Sequence, residues 1–129
     1  MKTFREKVAV ITGAGSGIGR YLAILLAKDG ADVCVCDVNE ETLNETAGML
    51  RKYNVSVSSH LLDVSDKESI EALPQKIIDQ HGKVDLVFNN AGVTTGAHFK
   101  DMDEDNWDWV MGINFDGVVN STRAFIPHL

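Results

Sequence analysis

The sequence predicts an α/β fold in which an open parallel sheet carries helices on both faces. Short apolar, β-branched segments alternate four times with segments whose apolar residues recur at helical spacing. This alternation favours parallel strands, because each right-handed crossover returns the chain to the same end of the sheet. There is no internal repeat, linker or low-complexity segment, so residues 1–129 are predicted to form a single domain.

The four strands and four helices follow from these patterns in order. Strands are predicted at residues 8–12, 32–37, 55–62 and 84–88, and helices at residues 18–27, 40–52, 66–80 and 103–126. The first helix is predicted from apolar residues at helical spacing, which are Ile18, Leu22, Leu25 and Leu26. The last helix is predicted to be one long element that Pro127 closes, and the sheet is expected to be truncated after the fourth strand and this helix.

Composition excludes some classes of partner. The chain has 19 acidic against 12 basic residues and a net charge of -7, so most of its surface repels a nucleic-acid backbone or an anionic membrane. The apolar stretch that follows Lys7 is broken by four glycines, which does not make a signal-peptide core or a membrane span. We therefore expect neither nucleic acid nor membrane as a partner, and a cytoplasmic location.

No metal site is predicted. Cys34 and Cys36 lie two residues apart in an apolar strand, which puts both on one face, and we expect reduced, buried thiols. The series Asp101, Asp103 and Asp105 imitates the start of a calcium loop, but the glycine and the closing glutamate of such a loop are absent. These carboxylates are better explained as the first turn of a helix, where the dipole favours negative charge.

A glycine-rich loop joins the first predicted strand to the first helix. Glycines there permit positive φ and let backbone N–H groups approach a pyrophosphate, which the helix N-terminus favours. The pattern G-x-G-x-x-G fails at Ile18, whereas T-G-x-x-x-G-x-G is made by Thr12, Gly13, Gly17 and Gly19. This loop resembles that of the short-chain dehydrogenase/reductase family, whose fold is of the Rossmann type. Taken alone, the loop could also be a plain flexible connection.

The resemblance implies a set of cofactor contacts in this loop and after the second strand. In the loop the predicted contacts are Gly13, Gly15, Ser16, Gly17, Ile18 and Gly19. Asp37 ends the second strand 18 residues past Gly19, where dinucleotide folds place a carboxylate on the ribose 2′-hydroxyl. Family members that prefer NADP carry a basic residue where this chain has Ser16 or Val38, so NAD is favoured over NADP. The alternative is that Asp37 only caps the next helix.

Two further motifs support the resemblance. Asp63 and Val64 close the third strand, and in the family this pair contacts the adenine. Asn89, Asn90, Ala91 and Gly92 form the family's N-N-A-G motif, from which Asn90, Ala91 and Gly92 are predicted cofactor contacts; an ordinary Asn/Gly turn is the alternative. Asn114 in the last helix matches the Asn that anchors a water in the family's proton relay, and it is the one catalytic candidate.

The candidate residues share a position in the predicted fold. Each group follows a strand, so in a parallel sheet all of them gather at the carboxyl edge, where open α/β sheets bind ligands. If the fourth strand lies beside the first, the glycine loop and the N-N-A-G turn flank the crevice where strand order reverses. We expect a dinucleotide to lie in that crevice.

The resemblance also defines what this chain lacks. The family transfers hydride between nicotinamide and a small-molecule alcohol or carbonyl substrate, and a Tyr four residues before a Lys serves as the general acid or base. Here Tyr21 and Tyr53 are followed at that distance by Leu25 and Val57. We therefore expect this chain to be the first, cofactor-binding half of such an enzyme. Alone, it is expected to be inactive. The alternative is a catalytically silent nucleotide-binding or interaction protein.

Two surface features are interpreted through the same resemblance. Family members commonly dimerise through the last helix, where Trp107 and Trp109 stand two positions apart and cannot share one face. The full-length form is therefore expected to be a homo-oligomer. His98 follows the N-N-A-G turn and could contact a substrate, although a surface or packing role is the more ordinary reading.

Overall fold

The computed structural model describes residues 3–129 and contains four strands and five α-helices in that range. The strands are β1 Val8–Thr12, β2 Asp32–Asp37, β3 Val57–Leu61 and β4 Leu86–Phe88. The helices are α1 Gly17–Lys28, α2 Glu40–Leu50, α3 Lys67–His81, α4 Glu104–Met111 and α5 Gly117–Phe125, with a π-helical segment at Gly112–Asp116 and 3-10 turns at Phe99–Asp101 and Ile126–His128. No helix in this range is long and apolar enough to cross a membrane.

The sheet has the strand order β3-β2-β1-β4, and all three strand pairs are parallel. Val10 at the centre of β1 pairs with Cys34 of β2 on one side and with Val87 of β4 on the other. The predicted open parallel sheet is confirmed, and the fourth strand does lie beside the first. Strand order therefore reverses between β1 and β4.

Helices cover both faces of the sheet, and each face has its own hydrophobic core. Alternate residues of β1 point to opposite faces, so Ala9 and Ile11 enter one core and Val8 and Val10 the other. The first core adds residues of α1 and α2: Ala23, Leu26, Ala27, Leu43, Ala47 and Leu50. The second adds residues of α3 and α5: Ile70, Leu73, Ile77 and Phe125. Burial on both faces explains why all five residues of β1 are buried.

The first helix packs largely through small residues. Ile18 and Leu25, two of the apolar residues from which the helix was predicted, are 79% and 46% exposed. The buried positions are Gly19, Ala23, Leu26 and Ala27. Small side chains let α1 approach the sheet closely, so the inner stripe is displaced from the large residues that the periodicity singled out. Strands β3 and β4 are also shorter than predicted.

The predicted single helix over residues 103–126 is wrong in one respect. Its middle, Gly112–Asp116, has the wider π-helical turn that separates α4 from α5. The prediction missed this turn because the turn inserts one residue without ending the helix. The segment contains Asn114, and π-turns of this kind occur frequently at functional sites.

The two cysteines are free and fully buried on the face that α3 and α5 cover, as the sequence predicted. Burial raises the pKa of the Cys34 thiol to about 12 and raises that of Cys36 as well. Because the thiolate is the reactive form, both groups are poor nucleophiles at neutral pH.

A polar cluster joins β3 to the end of α3. The hydroxyl oxygen of Ser58 lies 2.9 Å from Nε2 of His60 and 2.8 Å from Nε2 of His81. Burial lowers the pKa of both imidazoles below the ordinary value of 6.5, and their mutual repulsion lowers that of His60 further. Both rings are therefore held in the neutral form near pH 7.

This cluster makes stability depend on pH. Because the folded-state pKa values are depressed, its contribution is complete above about pH 6.5 and falls as pH drops below that value, where the unfolded chain takes up protons first. We expect the thermal midpoint to fall between about pH 7.5 and pH 5, and to fall less in a His60→Asn, His81→Gln variant. The exposed His98→Gln variant is the control, and a fall of equal size in all three proteins contradicts the prediction.

Candidate functional site

A cleft of about 400 Å³ opens at the carboxyl edge of the sheet. It is lined by Thr12, Gly13, Ser16, Gly17, Ile18, Cys36, Asp37, Val38, Leu62, Asp63, Val64, Asn90, Ala91, Gly92, Val93 and Ile113. These residues come from the ends of all four strands and the segments that follow them, from the first turn of α1 and from the π-helical segment. The volume is within the range of small-molecule sites, about 300 to 1,000 Å³. Ten of the twelve predicted cofactor contacts line this one cleft.

Two glycines of the loop are required by close packing. Gly13 has a φ of 66°, and a Cβ added to it would lie 2.8 Å from the Cα of Ala91. A Cβ on Gly19 would overlap the carbonyl oxygen of Gly13 and would lie 2.6 Å from the amide nitrogen of Asn90. The loop therefore lies directly against the turn after β4, and larger residues would separate the two.

Thr12 and Asn90 tie the ends of β1 and β4 together. The Thr12 hydroxyl oxygen accepts hydrogen bonds from the N–H groups of Asn90 and Ala91 at 3.1 and 3.0 Å. In return the Asn90 amide donates to the carbonyls of Thr12 and Gly13 at 3.1 and 3.2 Å. The predicted cofactor residue Asn90 thus has its amide nitrogen directed at the glycine loop. Thr12 entered the sequence prediction only as the first residue of the glycine-loop pattern. Its hydroxyl is the second half of this connection.

Asp37 is fixed by two backbone groups. One oxygen of its carboxylate accepts the N–H of Gly15 at 2.8 Å, and the other accepts the N–H of Asn39 at 3.1 Å. The alternative that Asp37 caps the next helix is wrong, because the side chain of Asn39 accepts the N–H of Thr42 and is the N-cap of α2. Asp37 instead lines the cleft, and its two hydrogen bonds hold the carboxylate in one orientation.

The backbone of the glycine loop has two sides. The side towards β2 is used within the protein, since the N–H of Ala14 donates to the carbonyl of Cys36 and that of Gly15 to Asp37. The side towards the cleft begins α1, where the N–H groups of the first turn have no intrahelical partner. Gly17, with a φ of 56° and nothing within 4 Å of an added Cβ, faces open space there. A helix N-terminus of this kind is suited to an anion.

Asp63 and Val64 form the wall of the cleft opposite the loop. The carboxylate of Asp63 accepts the N–H and the hydroxyl of Ser65 through a single oxygen, at 2.9 and 2.6 Å. Val64 packs against Gly117, where an added Cβ would lie 2.9 Å from a Val64 methyl carbon. The start of α5 therefore supports this wall from behind.

Asn114 holds the turn that follows the N-N-A-G motif. Its amide oxygen accepts the N–H of Val93 and its amide nitrogen donates to the carbonyl of Val93, both at 2.8 Å. This two-way contact brings the π-helical segment against the cleft, which Val93 and Ile113 line. In this structure the side chain of Asn114 therefore holds the turn in place.

Some predicted residues lie outside the cleft lining, and some lining residues were missed. Gly15 and Gly19 face protein atoms, and a Cβ on Gly15 would lie 2.8 Å from an Asp37 oxygen. The missed residues are Thr12, Cys36, Val38, Leu62, Val93 and Ile113. Most of them are direct neighbours of predicted contacts at a strand end, so widening each motif by one residue would have found them.

The surface residues singled out by sequence are well exposed. Trp107 and Trp109 are 45% and 49% exposed, and the ring of Phe99 meets that of Trp107 edge to face at 5.8 Å. His98 is exposed and is not among the residues that line the cleft.

Comparison with known proteins identifies the family. The family model for short chain dehydrogenases matches residues 7–129. The chain belongs to this family. Its members are oxidoreductases, and the family resemblance predicted from the glycine loop and the N-N-A-G motif is confirmed.

Individual relatives agree with this assignment. The chain is 35% identical over 123 residues to the 3-oxoacyl-[acyl-carrier-protein] reductase FabG of Thermotoga maritima, covering 95% of this chain and 50% of that protein. A short chain dehydrogenase/reductase from Burkholderia phymatum in complex with NAD is 40% identical with a TM-score of 0.95, covering 100% and 46%. Carveol dehydrogenase from Mycobacterium avium in complex with NAD is 30% identical with a TM-score of 0.91, covering 99% and 51%. The chain thus spans about half the length of these relatives.

Two helical glycines test the packing of the loop. Gly19→Ala forces a methyl group against Gly13 and Asn90, and we expect it to lower the free energy of unfolding by about 2 to 3 kcal/mol. Gly48→Ala, in α2 with nothing within 4 Å of the added Cβ, is the matched control. It should raise stability by about 0.5 to 1 kcal/mol, because alanine is the better helix former. Urea unfolding measures both, and equal effects would contradict the close approach at Gly19.

Proposed function

We propose that this chain is the cofactor-binding half of an NAD-dependent oxidoreductase that transfers hydride between nicotinamide and a small-molecule alcohol or carbonyl substrate. The observation that carries the proposal is the single cleft in which loops from all four strands meet at the point where strand order reverses. This is where open α/β sheets bind dinucleotides. The solved relatives that contain NAD support the same cofactor class.

The pyrophosphate is assigned to the N-terminus of α1. Ser16, Gly17 and Ile18 line the cleft at this point, and the unpaired N–H groups of the first turn suit its negative charge. A side chain at Gly17 would project into open space that a ligand needs, so glycine fits a cofactor there. Gly13, Gly15 and Gly19 serve the cofactor by shaping the loop.

The adenosine end is assigned to the ends of β2 and β3. Asp37 is held in place by Gly15 and Asn39. Its carboxylate would accept a hydrogen bond from the ribose 2′-hydroxyl and would repel a 2′-phosphate. The residue after it is the apolar and exposed Val38, so no cation follows to receive a phosphate. Asp63 and Val64 form the adenine wall, and Asn90, Ala91 and Gly92 border the path towards the nicotinamide.

The Tyr and Lys of the family's proton chemistry are not recognisable among these 129 residues. NAD supplies the hydride acceptor when it is bound, and this chain binds and orients it. Asn114 is the one catalytic candidate, through a water held beside the turn that it fixes. Neither tyrosine is followed by a lysine four residues later. We infer that the chain alone binds cofactor without turnover, and that an active full-length form is a cytoplasmic homo-oligomer.

The missing acid–base pair also favours a second candidate, a catalytically silent nucleotide-binding or interaction protein. Turnover separates an enzyme from a binding protein only when the full-length form is assayed. Cofactor binding by this chain is common to both candidates.

Cofactor selectivity tests the assignment of Asp37. Calorimetric titration of the chain should give a lower Kd for NADH than for NADPH, and Asp37→Ala should narrow the difference about tenfold, because the repulsion of the 2′-phosphate is lost. Asp79→Ala, which removes an exposed carboxylate on α3, should leave the ratio unchanged. Equal affinities in the unaltered protein would contradict the preference for NAD.

A turnover assay tests the inference that the chain alone is inactive. The chain incubated with NAD and a panel of primary and secondary alcohols should form no reduced nicotinamide, because a general base is missing. A full-length short-chain dehydrogenase under the same conditions is the positive control. Formation of NADH in proportion to the concentration of the chain would show that another residue acts as the base.

A further inference from the structure

Arg20 reaches from α1 across to α2 and to the glycine loop. Its Nη2 lies 2.6 Å from the carbonyl oxygen of Gly15, 3.1 Å from that of Thr42 and 3.0 Å from a carboxylate oxygen of Glu45. Its Nε donates to the hydroxyl oxygen of Thr46 at 2.9 Å. The planar guanidinium can satisfy several acceptors in one fixed arrangement.

Thr46 completes the contact from the other side. Its side chain is fully buried, and its hydroxyl donates to the carbonyl oxygen of Ala14 at 2.8 Å while it accepts from Arg20. Arg20 and Thr46 therefore hold two successive carbonyl groups of the glycine loop, those of Gly15 and Ala14. We call these two side chains and two carbonyls the loop clamp.

The clamp fixes the direction of the N–H groups that the site uses. In a trans peptide the C=O and the N–H point in opposite directions. Holding the carbonyl of Ala14 therefore directs the N–H of Gly15, which donates to Asp37 at 2.8 Å. Holding the carbonyl of Gly15 directs the N–H of Ser16 away from α2, and Ser16 lines the cleft.

External anchors matter here because residue 15 is a glycine. Glycine restricts its own φ and ψ less than any other residue, so the two peptide planes on either side of Gly15 need to be held by other groups. A side chain at this position would force Thr42 or Asp37 to shift, since an added Cβ would lie 2.6 Å from the Thr42 hydroxyl and 2.8 Å from Asp37.

The ion pair with Glu45 is a lesser part of this contact. The Glu45 side chain is 52% exposed, whereas that of Arg20 is 23% exposed. An exposed carboxylate contributes little to such a pair, because water screens it. The two carbonyls and the buried hydroxyl are the partners that Arg20 positions.

We propose that Arg20 and Thr46 are positioning residues for nucleotide selectivity. Thr46, which accepts a hydrogen bond from Arg20, holds the peptide whose Gly15 N–H donates to the carboxylate of Asp37, and Arg20 holds the next peptide. With both peptides held, the carboxylate is kept from rotating away from a ribose 2′-hydroxyl or making room for a 2′-phosphate. The inference rests on the proposed function. It adds two residues that need not touch the cofactor and that determine which cofactor fits.

Calorimetric titration with NADH and NADPH tests the clamp in the 129-residue chain. Arg20→Met and Thr46→Val should each weaken NADH binding about tenfold and weaken NADPH binding less, so that the ratio of the two Kd values moves towards one. Thr46→Ser, which keeps the hydroxyl, and Glu45→Gln, which removes only the exposed charge, should keep the ratio. Arg20→Lys keeps the charge but loses the planar guanidinium. Its ratio of Kd values should lie between that of Arg20→Met and that of the unaltered chain.

A double-variant cycle separates positioning from general stability. In an Asp37→Asn background the Arg20→Met change should no longer alter the ratio of Kd values, because the repulsive carboxylate is already gone. A lower thermal midpoint with an unchanged ratio in Arg20→Met and Thr46→Val would overturn the inference and leave the proposed function standing. Failure of the unaltered chain to bind either nucleotide would overturn the proposed function itself.

Discussion

The site depends on the direct contact between the glycine loop after β1 and the turn after β4. Thr12 and Asn90 form reciprocal hydrogen bonds across it, and Gly13 is in contact with Ala91 with no room for a Cβ. Side chains at this boundary would push the two strand ends apart and fill the space between them. Because the two strands pair only over residues 9–11 and 86–88, this contact at their ends determines the shape of the crevice where the strand order reverses.

The backbone of the glycine loop is divided between structure and binding. Gly13, Ala14 and Gly15 direct carbonyl or N–H groups at Asn90, β2 and α2, whereas the cleft is lined by residues 16–18 at the start of α1 and by Gly13. Polar backbone groups that are already satisfied by protein do not compete for a ligand or change direction when one binds. The loop thus presents a small number of oriented donors on a support that other elements hold rigid.

Much of this arrangement could be predicted from the sequence because its signals are local. Short β-branched runs predicted the strands, and residues that follow strands predicted the shared edge that contains Asp37 and Asp63. Contacts between distant segments could not be predicted. Arg20 and Thr46 are 26 residues apart and carry no motif, and the wide turn around Asn114 lies inside a helical stretch that it does not end. The exposure of Ile18 followed from tight packing through Gly19 and Ala23, which a pattern of large apolar residues does not register.

The state of the two cysteines has a practical consequence. Both thiols are enclosed between the sheet and its helices and resist ionisation, so maleimide or iodoacetamide reagents will find them unreactive in the folded protein. The unaltered protein therefore presents no reactive thiol in its folded state. A single cysteine introduced at an exposed position of the cleft lining, such as Val38, would carry a fluorophore at one known place without removal of either natural cysteine. Ligand occupancy and loop motion could then be followed optically in the otherwise unaltered molecule.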